Sequence, residues 1–166
     1  MTDRADDHRV SEFRRTVGRY ATGVTVITTV VDGVDHAMTS NSFTSVSLDP
    51  LLVLFCVEAD SRFCEAVQAS GVWGVSVLST AGRRHAQWFA TRGRPLVGQF
   101  DAVAHRRGAS GVPLLEDAIA WLECRTQQLV PAGDHVVVIG EVTTLPDLPD
   151  LADPLVYWTS RYCSTS

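Results

Sequence analysis

The chain lacks most of the signals by which a sequence declares a role. No apolar run reaches the ~18–20 residues needed to span a bilayer. The opening residues, Met1 to Arg9, are polar and charged and carry no apolar stretch of a secretory signal, so a cytoplasmic location is expected. Basic residues are not in excess: the net charge is −5 and the pI near 5.4, a balance that disfavours nucleic acid as a partner. The cysteines, Cys56, Cys64, Cys124 and Cys163, form no C-x-x-C, and Cys56 and Cys124 sit in strand-like runs where a free thiol behaves as a small apolar side chain. The histidines, His8, His36, His85, His105 and His135, show no ligand spacing, so no metal site is expected. Both nucleotide fingerprints are missing. Gly18 and Gly23 do not make a phosphate loop, because Val24 stands where a lysine is required, and no G-x-G-x-x-G offers a dinucleotide crevice.

What is present is an ordinary globular composition. With 166 residues, 45% hydrophobic and 20% charged, the chain fits one domain with a real core. Ser11 to Tyr20 predicts a helix capped by Ser11, with Phe13, Val17 and Tyr20 at helical spacing. Val24–Val30 is β-branched throughout and predicts a strand. A turn at Asp32-Gly33 leads to a second strand through His36-Ala37-Met38. Leu51–Val57 is continuously apolar and predicts a central strand buried on both faces. Ser61 caps a helix that Gly71 ends, and Val72–Leu78 is a strand. Thr80–Ala90 predicts another helix, followed by a basic loop over Thr91–Gly98 and a Gly/Pro-rich connection over Gly108–Glu116. Ile119–Leu129 is an alternating strand. A turn at Pro131–Asp134 precedes a strand over His135–Leu145 broken by Gly140, and Leu155–Trp158 is the last. About seven strands and two or three short helices, without β-α-β alternation, predict a mainly β protein. Antiparallel strands closing into a barrel with helices outside fit it best.

The stretch Met38–Pro50, M-T-S-N-S-F-T-S-V-S-L-D-P, stands out. More than half of it is Ser, Thr or Asn, with a single charge at Asp49, yet it lies between two strongly apolar runs. Short hydroxyl and amide side chains beside backbone N–H groups suit a phosphate or the polar edge of a planar ring. The same composition also suits a turn that satisfies only its own backbone.

Taken in order, Phe13-Arg14-Arg15, Tyr20–Thr29, Met38–Pro50, Phe89-Ala90, Leu122-Glu123-Cys124, Gly133-Asp134-His135 and Gly140-Glu141-Val142 resemble the short-chain flavin reductases. These are the NAD(P)H-using partners of two-component flavin monooxygenases, and the resemblance runs from about Phe13 to Tyr162. It implies an antiparallel split β-barrel over 11–166 behind a flexible segment at 1–10, a homodimer, and FMN or FAD bound at the subunit boundary. NADH, or NADPH, would be the hydride donor and a reduced-flavin-dependent monooxygenase the partner. Leu51, where a second Pro is usual, and His36, where small or apolar residues are usual, depart from the pattern.

By resemblance, Thr39, Ser40, Asn41, Ser42 and Phe43 line the flavin's ring edge and ribityl chain, and Ser45 and Val46 continue that wall. Asp60, Ser61 and Arg62 lie near its phosphate, where Ser61 and the helix N-terminus donate and Arg62 supplies charge. Phe89 packs on the flavin or belongs to the ordinary core. Gly133, Asp134 and His135 are expected to hold the nicotinamide nucleotide, with His135 as the residue that bears on catalysis. Asp134 either orients the imidazole or only serves the turn. Hydride transfer itself is the cofactor's chemistry. A non-catalytic flavin carrier on the same barrel is the rival reading. An oxidase of the pyridoxamine-phosphate type would be expected to bring Arg and Lys into the polar stretch, which has neither.

Overall fold

The computed structural model describes residues 3–165. Its elements run α1 (Asp3–Val17), β1 (Thr22–Gly23), β2 (Thr25–Val31), β3 (Val34–Ser40), β4 (Thr44–Leu48) and β5 (Leu51–Glu58). Then come α2 (Arg62–Ser70), β6 (Val72–Leu78), α3 (Arg83–Ala90) after a short 3-10 turn at Thr80–Gly82, β7 (His105–Arg107) and β8 (Pro113–Leu115). β9 (Ala118–Ala132), β10 (His135–Thr144), β11 (Val156–Trp158) and β12 (Arg161–Cys163) complete the chain.

Seven strands form one antiparallel sheet in the order β3-β2-β6-β9-β10-β5-β4. The sheet curls on itself, because β2, β5, β6, β9 and β10 all send side chains into one apolar cluster that α2 plugs. Ile27, Phe55, Val67, Trp73, Val75 and Val138 are fully buried there. This is the expected split barrel. Strand β2 is a wall between two cores: Ile27 faces the barrel, while Val26, with Val24 just before the strand, faces a second cluster with Ala86 and Phe89 of α3. Its buried threonines cost little, since each hydroxyl finds a carbonyl. Thr25 donates to Ser40 O (3.0 Å), Thr28 to Pro113 O (2.6 Å) and Thr29 to Val72 O (2.7 Å).

Several local expectations meet a different outcome. Helix α1 begins at Asp3, not Ser11, so Ser11 is interior and much of the stretch expected to be flexible at 1–10 is helical. Its apolar stripe, Phe13 and Val17 with Tyr20 just beyond, is exposed in the single chain. The helix is tied down at its end, where Thr159 N–H donates to Gly18 O (2.8 Å) and the Trp158 indole donates to Arg19 O (3.1 Å). Strand β5 is not buried on both faces: Val53, Phe55 and Val57 point into the barrel, while Leu52, Leu54 and Cys56 are half-exposed on the other side. Its edge neighbour β4 lies within the polar stretch, where only Val46 and Leu48 alternate with hydroxyl residues and both are exposed. Strand β10 runs unbroken through Gly140. The register shifts there instead, with Gln127 of β9 as the extra residue, and the position takes glycine because a Cβ would lie 2.4 Å from the Trp73 indole. The Gly/Pro connection contains the β8 half of the small β7–β8 hairpin.

Candidate functional site

Strand β3 leaves the sheet at Ser40, and the chain crosses to β4 over the mouth of the barrel. α2 starts beside this crossing, because Ser61 caps it as expected. Its Oγ accepts from Cys64 N–H (3.2 Å) and donates to Glu58 O (2.7 Å). α3 ends opposite, and the loop after it folds back over β3. These pieces enclose an open cleft of about 580 Å³, within the size range of small-molecule sites. His36–Ser42, Cys56–Glu58, Asp60–Phe63, Phe89–Arg94, Leu96, Gln99 and His135 line it.

The cleft thus brings together Thr39, Ser40, Asn41, Ser42, Asp60, Ser61, Arg62, Phe89 and His135 of the expected residues. It does not include Phe43, which packs against the barrel core, or Ser45 and Val46, which are exposed on edge strand β4. Gly133 and Asp134 form the turn beside the cleft and only His135 reaches its lining.

The hydroxyls of the polar stretch prove largely committed to the fold. Thr39 Oγ1 donates to Ala86 O of α3 (2.7 Å). The Ser40 and Ser42 hydroxyls share a hydrogen bond (2.9 Å), and Ser42 Oγ also accepts from Cys56 N–H of β5 (2.9 Å). Asn41 is different: it is exposed and its side chain has no hydrogen-bonding partner among the described residues. Of the four, only its amide is free to serve a ligand. Phe89 is 1% exposed and packs against Phe100, ring centroids 5.0 Å apart. It forms the floor of the cleft as part of the second core.

His135 is placed by strand pairing. It lies opposite Glu58 in the β10–β5 register, and the preceding turn is pinned where Ala59 N–H donates to Asp134 O (3.0 Å). Its Nδ1 sits 2.7 Å from Asp134 Oδ1, within hydrogen-bonding distance. The hydrogen bond and charge of His135 hold the Asp134 carboxyl below its usual range.

Sequence reasoning missed the contribution of the 91–99 loop. Arg94 organises it: Nε donates to Gln99 Oε1 (3.1 Å), Nη1 to Phe89 O (2.9 Å) and Thr91 O (3.2 Å), and Nη2 to Ala37 O. Its guanidinium also lies 5.4 Å from the Phe89 ring centroid. Gln99 Nε2 donates to Asp35 O (2.6 Å), and Arg62 reaches Arg94 O (3.0 Å). Arg92 pairs with Glu58 at the rim. The signal was the pair of arginines in Arg92-Gly93-Arg94 directly after a helix, read only as a basic loop. Burial, then the neighbouring Arg62, lowers Arg94 to about 10.

The donor set suits a flavin. A free amide sits at one wall, a phenyl group lies beneath, and cations held by neutral carbonyls are ready for a phosphate. The model of the flavin reductase like domain matches residues 17–166, and the chain belongs to that family. It is 38% identical over 161 residues to the NADH-dependent FMN reductase AsuE2 of Streptomyces nodosus subsp. asukaensis, covering 96% of this chain and 87% of that protein. It is 44% identical over 140 residues to an NADH-dependent FAD reductase of Streptomyces globisporus, covering 83% and 76%. A probable flavin reductase of Rhizobium meliloti (strain 1021) is 42% identical over 144 residues, 86% of this chain, which spans 45% of that protein's length. Among solved structures, BorF, the flavin reductase component of a bacterial two-component tryptophan halogenase, superposes with a TM-score of 0.88 at 41% identity, covering 93% of this chain and 97% of BorF.

Proposed function

We propose that the chain is an NADH-dependent flavin reductase that reduces FMN or FAD and releases the reduced flavin to a partner monooxygenase in the cytoplasm. The observation that carries this reading is the cleft itself. In a chain of this family, it unites a free Asn41 amide, a cationic end and His135 around one cavity. A flavin bound here supplies the hydride-accepting centre. The protein's own part is to bind and orient. Asn41 is placed to hydrogen-bond the ring edge, Phe89 and the chain of β3 set the depth of the ring, and Arg62 faces the phosphate. His135, steadied by Asp134, stands at the rim where the nicotinamide nucleotide enters with no resident dinucleotide fold to hold it. None of the described groups needs to move a proton for hydride transfer.

The working form is a homodimer. Within one chain the cleft is open to solvent, and Val46, Leu48 and Leu51 expose an apolar surface on the β4–β5 edge beside it. Burying such a patch against a second copy removes it from water and closes the site. Light scattering that finds a fully active monomer at micromolar concentration would refute the dimer. For the activity, stopped-flow mixing of NADH or NADPH with FMN or FAD is the test. NADH oxidation coupled to flavin reduction is expected. Bound flavin without nucleotide oxidation would leave a flavin carrier instead.

A further inference from the structure

Three basic side chains converge on the cleft without a carboxylate assigned to them. Arg62 comes from α2, Arg94 from the loop after α3, and His36 from β3. The carboxylates nearby are Asp35, Glu58 and Asp60. Asp35, next to His36, grips Arg107 of β7 with both oxygens (2.5 and 2.8 Å). Glu58 is taken by Arg92, and Asp60, on the cleft lining just before α2, is exposed and forms no ion pair among the described residues. Thr29, opposite His36 on β2, is neutral and donates to Val72 O. Arg94 itself donates only to neutral oxygens.

His36 is held in place on both sides, because Gln99 grips the carbonyl of Asp35 and Arg94 that of Ala37. Its imidazole is half-buried, yet makes no hydrogen bond among the described residues. Cations crowded in this way oppose one another until an anion arrives. Burial first, then Arg62, pulls His36 below the ordinary imidazole range, with Asp35 a smaller opposing influence.

We infer that His36 is the third member of a phosphate-binding cluster with Arg62 and Arg94, and that it takes up a proton when the flavin's phosphate enters. The inference rests on the reading of the cleft as a flavin site. In the free protein burial and the neighbouring Arg62 both favour the uncharged imidazole. A phosphate offsets the repulsion from Arg62 and attracts the proton, so the imidazolium forms and donates a charge-assisted hydrogen bond. The bound state therefore has the higher His36 pKa. The gain in affinity is fully present below the free-state value and is lost as pH rises through the bound-state value.

FAD is the clean probe, since the terminal phosphate of FMN itself titrates near pH ~6. Calorimetric titrations in two buffers of different ionisation enthalpy would count the protons. FAD is expected to bind with net proton uptake near neutrality, and roughly tenfold more tightly at pH ~5.5 than at pH ~8.5, the effect of one charge-assisted hydrogen bond. Riboflavin, without phosphate, should show neither. His36→Gln should flatten the FAD profile while keeping riboflavin affinity and melting temperature. An unchanged FAD profile in His36→Gln, or the same proton uptake with riboflavin, overturns the inference. If NAD+ instead takes up the proton, and loses this in His36→Gln, the cluster belongs to the nicotinamide nucleotide and the flavin assignment is overturned. Intact flavin reduction with a flat FAD profile refutes this inference alone. A protein that binds neither FAD nor riboflavin refutes the reductase reading together with it.

Discussion

Glu123 and Arg94 are both charges withdrawn from water, and their surroundings differ in one respect that separates structure from function. The Glu123 carboxylate is 1% exposed and receives Ala109 N–H (2.8 Å), Ser110 N–H (2.7 Å) and the Ser110 hydroxyl. The 108–111 loop wraps it so closely that a Cβ at Gly108 would lie 2.5 Å from the carboxyl carbon. There is no room for anything else. Arg94 is likewise satisfied by neutral dipoles, but it borders a cavity of about 580 Å³, beside Arg62 and His36. A charge closed in by its own chain serves the fold. A charge held in place but left facing a cavity serves a ligand.

Breaking the closed site should have the largest effect. Glu123→Ala strands three donors and is expected to cost about 3 kcal/mol of stability, a fall of about 6–12 °C in Tm at this size. Flavin affinity of the folded fraction should be unchanged. Calorimetric melting with a parallel flavin titration checks it, and a loss of affinity without a loss of stability would contradict the comparison.

Asn41→Ala tests the open site in reverse. Because the amide has no partner among the described residues, stability should stay within about 0.5 kcal/mol of the parent. Flavin binding should weaken by about 1–3 kcal/mol as a ligand group loses its partner. Thr39, Ser40 and Ser42 are expected to behave differently, since their hydroxyls tie β3 to α3 and to β5. Substituting them should lower Tm.

A smaller effect is expected at the rim. His135→Ala should raise KM for NADH several-fold and lower kcat modestly, with flavin affinity nearly intact. Contacts used equally in ground and transition states move KM alone, while a loss of positioning also moves kcat. Steady-state kinetics alongside flavin fluorescence would show this, and unchanged NADH kinetics would make His135 a surface histidine.

Asp134→Asn should matter least. Its carboxyl is fully exposed and held low mainly by the hydrogen bond from His135. Any stability it lends is present above the ordinary carboxylate range and lost as pH falls through its depressed value. Wild type and variant should therefore converge in acid melts, with a slight rise in KM for NADH near neutral pH.

The sequence alone determined the barrel, because β-branched and alternating runs such as Val24–Val30 and Val72–Leu78 encode strands locally and Ser61 and Gly71 encode the ends of α2. It also singled out Met38–Pro50 as an unusual polar stretch and predicted a turn at Pro131–Asp134, since composition and turn residues can be read in one dimension. It could not say which hydroxyls were free. Whether Ser42 faces a ligand or the Cys56 backbone depends on strand register, and only the folded sheet fixes that. The helix start at Asp3 escaped notice because residues 3–9 are almost wholly polar and carry no apolar period. The cationic end of the cleft was invisible for a related reason. His36, Arg62 and Arg94 are far apart in sequence, and electrostatic crowding is a property of distance in space, which tertiary structure alone decides.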